Sequence, residues 1–335
     1  MDIAALARAR LPVLAAAVLA TVACGPASPT ATSVSTASAS PARTASNPSA
    51  SPLPSGTGVF GTCQLPVLMS GTPPQVGWLD VPGGRFSPDP AGMSAKSLYG
   101  NVAWDSGIGK WLPTEPRMIS PDGLSYIPED HQNEILDAQT GAILHVTPPG
   151  DYNSVIGWTN AGIYLQHVGK ASIPGLWKIN PSTGTVTQVQ SKSDDVLWDV
   201  ADDSSAWGTV GDPNALTIAR LDLTNGSLTR VYHAPGNSLM EIAGFSGSGV
   251  LVFLYEPPAW VGFVLRPDGT TDQVDVPTNW APGDSNGLIQ DGPAILFSGV
   301  DYALAAYAPD RGLHVLIHSP PDLFLLGRCV PKRSG

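Results

Sequence analysis

The 335-residue chain is poor in cysteine and in basic residues: it has three cysteines, and 17 Lys and Arg stand against 28 Asp and Glu. The shortage of basic residues excludes nucleic acid as a partner, because phosphate neutralisation requires clusters of Lys and Arg. No apolar stretch has the length and continuity of a membrane-spanning helix. The glycine-rich motifs of nucleotide-binding enzymes are missing as well.

The N-terminus has the composition of an export signal. Arg8 and Arg10 precede an apolar stretch of 13 residues, Leu11–Ala23, which has the length of a signal-peptide core. The stretch ends in small residues directly before Cys24 and resembles the bacterial lipobox, in which the cysteine becomes the lipidated first residue. We therefore predict a signal peptide over 1–23 and a lipid on Cys24. The alternative is ordinary cleavage after Ala23, which would yield a soluble secreted protein.

The next segment, 24–57, has a different composition. After Cys24, Ser, Thr, Ala and Pro make up 27 of its 33 residues, and it contains no aromatic or acidic residue. Such a segment cannot bury enough apolar area to offset its ordering entropy, so we predict a disordered tether. The remaining residues, 58–335, form one predicted domain with 14 basic and 27 acidic residues, a net charge of −13.

Two cysteines remain once Cys24 is assigned to the lipid. Cys63 and Cys329 lie near the two ends of the predicted domain. In an exported protein this arrangement favours a disulfide, whereas two unpaired thiols are the alternative.

The domain contains a repeat that is clear in the spacing of its turn glycines. Five of these glycines are 43, 42, 43 and 43 residues apart, namely Gly141, Gly184, Gly226, Gly269 and Gly312. Each lies between two short apolar runs, as expected for a hairpin whose glycine supplies a positive φ. The turns are of the form Asp/Asn-x-x-x-Gly, and they become degenerate at Arg266-Pro-Asp-Gly269 and Pro309-Asp-Arg-Gly312.

A second set of turns lies between the first, so each period of about 43 residues contains two hairpins. Four antiparallel strands per unit and no convincing helix predict an all-β fold, a β-propeller of four-stranded blades. A β-solenoid is the competing fold, but its coils are usually shorter. We predict six blades, with seven as the alternative. Residues 64–69 and 323–330 are left over and could close the ring between the first and last blades or contribute to a seventh.

One strand-turn-strand motif, Ile119-Ser-Pro-Asp-Gly-Leu-Ser-Tyr-Ile127, resembles the motif of TolB-like and WD40-like propellers. The resemblance implies the architecture of residues 62–330. The combination of lipobox, tether and divergent propeller is similar to that of bacterial lipoproteins, which implies a location and no activity.

The domain offers no arrangement of residues from which catalysis, a cofactor or a metal site is predicted. The six histidines are scattered, and no nucleophile elbow lies between a strand and a helix. Two acidic clusters contain hard oxygen ligands for calcium, but Asp is also favoured at turns, and we prefer that interpretation. Their members are Asp194, Asp195, Asp199, Asp202 and Asp203, and Glu129, Asp130, Glu134 and Asp137.

Nine tryptophans are spread over the domain, most of them in strand runs where a large ring is expected to fill the space between blades. Trp260 and Trp280 lie in proline-containing segments that read as loops. If they are exposed, they could stack on sugars or anchor a protein partner.

These observations favour a monomeric binding module, anchored by lipid at the extracytoplasmic face of the cell membrane, that binds an envelope protein or polysaccharide. The alternative is an extracytoplasmic hydrolase or lyase whose carboxylates and histidines meet at the propeller channel. The position of the polar side chains discriminates between the two functions.

Substitution of the predicted lipidation site tests the anchor. Cys24→Ser should release the domain from the membrane or leave an uncleaved precursor, because the thiol that receives the lipid is missing. Mass spectrometry of the membrane fraction should find a lipidated N-terminus at Cys24 in the wild-type protein. An unmodified N-terminus near residue 24 would contradict lipidation and leave secretion in place.

Overall fold

The computed structural model describes most of the predicted domain, between residues 61 and 332. The described ranges are 61–98, 100–147, 153–167, 175–190, 196–211, 216–235, 238–277, 280–282, 288–298, 304–317 and 323–332. The predicted signal peptide, Cys24 and the predicted tether lie outside them. Among the described residues, no helix has the length and apolar character needed to cross a membrane.

Six antiparallel blades make up the structure, as the repeat predicted. The first blade contains β1 (Cys63–Met69), β2 (Gln75–Val81) and β3 (Phe86–Pro88), followed by the short helix α1 (Pro90–Ser94). A two-stranded hairpin comes next, β4 (Ala103–Asp105) and β5 (Lys110–Leu112). The second blade contains β6 (Ser125–Tyr126), β7 (Glu134–Asp137) and β8 (Ile143–His145), and its innermost position is taken by residues 118–120, which bridge to Tyr126 through Ile119.

The remaining four blades each have four strands that follow one another in the sequence. The third contains β9 (Asn153–Trp158), β10 (Ile163–His167), β11 (Leu176–Ile179) and β12 (Val186–Gln190). The fourth contains β13 (Val196–Ala201), β14 (Ser205–Val210), β15 (Thr217–Asp222) and β16 (Leu228–His233). The fifth contains β17 (Leu239–Ser246), β18 (Gly249–Glu256), β19 (Ala259–Leu265) and β20 (Thr271–Val274), and the sixth contains β21 (Leu288–Asp291), β22 (Ala294–Ser298), β23 (Leu304–Ala308) and β24 (Gly312–Ile317).

The turn glycines adopt the conformation that their spacing predicted. Gly141, Gly184, Gly226, Gly269 and Gly312 all have φ between 70° and 86°. A side chain rarely adopts this left-handed conformation without strain, so glycine at these positions lets each hairpin turn tightly.

The ring closes because a strand from the C-terminal end of the domain joins the first blade. The last strand, β25 (Leu323–Leu325), pairs antiparallel with β1, with Val67 opposite Leu325. Gln64–Met69 is therefore the second strand of the first blade. The two segments close the ring, as predicted, and do not form a seventh blade. The β4–β5 hairpin forms a separate sheet, because β25, β1, β2 and β3 already fill the four strand positions of the first blade.

Cys63 and Cys329 form the predicted disulfide, with their Cα atoms 5.8 Å apart. The backbone N–H of Cys329 also donates to Asp291 Oδ2 at 3.3 Å, in the turn that joins β21 to β22. The bond therefore ties the last residues of the chain to the first blade beside the sixth.

The apolar cores lie between blades, because the two faces of each sheet are covered by its neighbours. Phe253 of the fifth blade packs on Phe297 of the sixth, with ring centroids 5.5 Å apart. The first blade packs on the β4–β5 hairpin through Trp78, Trp104 and Trp111, whose ring centroids are 4.8–5.4 Å apart.

A single carboxylate accepts hydrogen bonds from two of these three indoles. The indole N–H groups of Trp78 and Trp111 both donate to Asp89 Oδ2 at 3.0 Å, and Asp89 Oδ1 caps the first turn of α1 through the N–H of Ala91. These tryptophans have the structural role that the sequence predicted for them.

Removal of the disulfide tests the closure. A Cys63→Ala/Cys329→Ala variant should lose up to about 5 kcal/mol of unfolding free energy, since the bond closes a very long loop in the unfolded chain. Chemical denaturation of the oxidised wild type and the variant measures the difference. Equal midpoints, or ready alkylation of both cysteines in the native protein, would show that closure does not depend on the bond.

Candidate functional site

A cleft of about 470 Å³ opens between the fifth and sixth blades. It is lined by the β17–β18 turn over 246–249, by the β19–β20 hairpin and by the β23–β24 turn. The β17–β18 turn is equivalent to the β21–β22 turn that contacts Cys329, so the cleft and the disulfide lie at the same end of the ring.

Strand alternation gives the cleft an apolar floor. Val264 lies opposite Asp272 in the β19–β20 pair, and Val274 follows two residues later on the same face. From the sixth blade, Leu313 lies opposite Tyr307 in the β23–β24 pair. Val264, Val274, Leu313 and Tyr307 all belong to the core between the two blades, so the cleft is the open end of that core.

Polar side chains that form hydrogen bonds within the protein line the rim of the cleft. Arg266 donates to Asp272 Oδ2 from Nε at 2.9 Å and from Nη2 at 2.5 Å. The two side chains are 49% and 57% exposed, so the pair is open to a ligand. On the opposite wall, His314 Nε2 lies 2.6 Å from the carbonyl oxygen of Arg311 and therefore donates to it.

The position of Arg266 follows from a change in the repeat. In the fourth blade the turn begins with Asp222, whose Oδ1 accepts from the N–H of Thr224. In the fifth blade the turn is one residue shorter, and Asp268 takes over this capping function by accepting from Thr270 at 3.0 Å. The first turn position no longer needs an Asp, and it carries Arg266. The degenerate turn at Arg266-Pro-Asp-Gly269 was thus the one feature of the sequence that could have indicated this site.

The expectation of two exposed loop tryptophans is wrong for Trp280. Its side chain is 6% exposed and packs on Phe253 and Phe297, with ring centroids 5.1 and 6.0 Å away. Trp260 lies on β19 rather than in a loop, half-buried against Tyr255. Core packing between the fifth and sixth blades accounts for Trp280, whereas a partner contact at Trp260 stays a prediction.

Apart from Asp199, the described members of the two acidic clusters contact backbone and side-chain groups of the protein itself. Glu129 accepts from Ser97 Oγ and Asn101 Nδ2, both at 2.5 Å. Asp203 accepts from the N–H of Ala161 at 3.0 Å, which links the third and fourth blades. Hydrogen bonds lower the pKa of Asp203, and the bond from the Thr159 side chain has the largest effect. Asp194 and Asp195 lie outside the described residues, within which no three His, Cys, Asp or Glu side chains form a metal-binding group.

Asp199 differs from these turn residues, because it lies in the middle of an innermost strand. The innermost strands of the third, fourth and fifth blades each have a bulge at the same position, occupied by Ile156, Asp199 and Ala243. Ile156 and Ala243 are core residues, so Asp199 occupies an apolar position. Its Oδ2 atom is buried without a hydrogen-bond partner, and burial raises the pKa of the carboxyl to about 7.

Comparison with known proteins finds similar solved structures and no matching family. No protein-family model and no curated protein sequence matches the chain. Among solved structures it is similar to a TolB from Agrobacterium tumefaciens, at 14% identity over 70% of this chain and 100% of that one, with a TM-score of 0.47. TolB from Acinetobacter baumannii has 15% identity over 74% and 66% of the two chains, with a TM-score of 0.40.

An oligogalacturonate lyase in complex with manganese is also similar, at 15% identity and a TM-score of 0.43, over 60% of this chain. The chain spans 63% of the length of that lyase. TolB proteins are thus among the similar structures, as the Ser120-Pro-Asp-Gly123 motif predicted. At these values the similarities carry no argument about function, and the fold assignment rests on the strand pairing.

The raised pKa of Asp199 predicts how stability depends on pH. The folded protein holds this proton up to about pH 7, whereas the unfolded chain releases it near pH 4, so stability should fall as pH rises between these values and then level off. Asp199→Asn removes the ionisation and should be more stable than the wild type above pH 7, by about 4 kcal/mol at most, since one pKa unit corresponds to about 1.4 kcal/mol.

Urea denaturation of wild type and variant across this range measures the difference. The largely exposed Asp310 offers the control Asp310→Asn, which should leave the pH profile unchanged. A constant difference between wild type and Asp199→Asn at all pH values would show that Asp199 keeps an ordinary pKa.

Proposed function

We propose that this protein is a membrane-anchored extracytoplasmic lipoprotein whose propeller acts as a non-catalytic binding module, with the cleft between the fifth and sixth blades as its binding site. The ligand is an envelope protein or polysaccharide. The observation that carries the proposal is the Arg266–Asp272 pair, held in place at the rim of a cleft with an apolar floor. A few oriented polar groups around an apolar depression are typical of ligand-binding sites.

The surroundings of the cleft support binding without rearrangement. Its walls are strands of two blades that share one core, and the inner turn is fixed by the hydrogen bond between Ser246 Oγ and Tyr307 Oη at 3.1 Å. A site on such rigid elements loses little conformational entropy when a ligand binds.

The anchor supports the location. The N-terminal segment up to Cys24 has the pattern of a lipoprotein signal, and 25–57 has the composition of a tether.

Blocking the cleft tests this function. Ser248 is exposed on the β17–β18 turn that lines the cleft, so Ser248→Trp should obstruct it without disturbing the core. Hydrogen–deuterium exchange of residues 58–335 should show protection at 246–249, 266–275 and 309–314 when envelope protein or polysaccharide fractions are added, and Ser248→Trp should abolish it.

The matched control is Gln139→Trp, which places the same side chain on an exposed turn of the second blade. It should bind like the wild type. Protection confined to other parts of the ring, or equal binding by Ser248→Trp, would refute the cleft as the site. Turnover of an envelope polysaccharide that depends on a single carboxylate would replace the binding module with an enzyme.

A further inference from the structure

The Arg266–Asp272 pair leaves part of each side chain available. Both contacts of the guanidinium go to Oδ2 of the carboxylate. Within the described part of the chain, neither Asp272 Oδ1 nor Arg266 Nη1 makes a hydrogen bond. The pair therefore leaves a charged acceptor, Asp272 Oδ1, at one end and a charged donor, Arg266 Nη1, at the other, and each side chain holds the other in place.

This arrangement matches a ligand that has several groups able both to donate and to accept. A hydroxyl group does both, so one hydroxyl of a polyhydroxylated ligand can donate to Oδ1 while another accepts from Nη1. Hydrogen bonds to charged partners are stronger than those between neutral groups, which compensates for displacing water from an exposed pair.

The charges of the cleft favour a neutral ligand over an anionic one. Arg266 and Arg311 are balanced by Asp272 and Asp275, all of which line the cleft. Asp310 lies next to Arg311, with its Oδ2 3.9 Å from the guanidinium Nε. An anion would have to compete with these carboxylates, and the domain as a whole is acidic.

The floor and the volume fit the rest of such a ligand. Val264, Val274 and Leu313 provide an apolar surface against which the C–H face of a sugar ring can pack. The volume of about 470 Å³ lies within the roughly 300–1,000 Å³ that small-molecule sites have.

From these observations we infer that the cleft binds a neutral carbohydrate, with the Arg266–Asp272 pair contacting its hydroxyl groups. The inference rests on the proposed function and narrows its ligand from an envelope protein or polysaccharide to an uncharged glycan. No covalent step is involved.

Titration calorimetry of residues 58–335 with short glucose-, mannose- and galactose-based oligosaccharides tests the inference, with a uronic-acid oligosaccharide as the anionic probe. At least one neutral oligosaccharide should bind, with an affinity that does not fall as salt is raised. Asp272→Asn and Arg266→Gln should each weaken it by at least about tenfold, the effect of losing a hydrogen bond to a charged partner.

Arg117→Gln is the matched control. Arg117 also donates from Nε to a carboxylate, Glu115 Oε2 at 2.6 Å, but it lies beside the second blade, away from the cleft. It should leave oligosaccharide binding unchanged. Ser248→Trp blocks the cleft without altering the Arg266–Asp272 pair, so it should also abolish oligosaccharide binding. This variant keeps the test valid if Asp272→Asn or Arg266→Gln unfolds.

The other outcomes separate this inference from the proposed function. Tighter, salt-sensitive binding of the uronic-acid probe would overturn the choice of a neutral ligand. If no oligosaccharide binds but an envelope protein fraction protects the cleft, the carbohydrate ligand is refuted and the proposed binding module is retained. Absence of protection by any fraction would remove the proposed function itself.

Discussion

Each blade of this protein has two apolar faces, and the ring must close because a face without a neighbouring blade would remain in water. The closing contact is the pairing of β25 with β1, reinforced by the bond between Cys63 and Cys329. Residues separated by 266 positions in the sequence are thereby joined covalently. The core between the first and sixth blades depends on this contact, and the cleft between the fifth and sixth blades depends on the sixth blade being held in place.

The features that suggest function are departures from the repeat. A shorter turn in the fifth blade moves the capping carboxylate to Asp268 and leaves Arg266 free to pair with Asp272. At a bulge that the third, fourth and fifth blades share, the fourth has Asp199 where the other two have Ile156 and Ala243. Local rules are usually broken where a protein has a use for the exception, and a regular propeller needs neither substitution.

Aspartates whose pKa values are shifted fall into two groups, those with lowered and those with raised values. Asp203, Asp222 and Asp268 cap turns, and the hydrogen bonds they accept lower their pKa values, so the stability they contribute is present at neutral pH and is lost as pH falls through those values. Asp199 behaves in the opposite way, because burial raises its pKa. An abundance of Asp is therefore compatible with a stable fold as long as most of it lies at turns, where backbone N–H groups are available.

The sequence by itself determined the repeat and its hairpins, because turn glycines and strand alternation act over a few residues and need no distant partner. The 43-residue spacing therefore predicted the propeller, and the position of Cys63 and Cys329 at the domain ends predicted their pairing. The tertiary structure alone decided which surfaces are covered. Trp280 lies in a segment that reads as a loop, yet Phe253 and Phe297 of two different blades bury it. The assignment of Gln64–Met69 to the first blade, the apolar surroundings of Asp199 and the cleft beside Arg266 likewise depend on which blade faces pack together, and no local pattern carries that information.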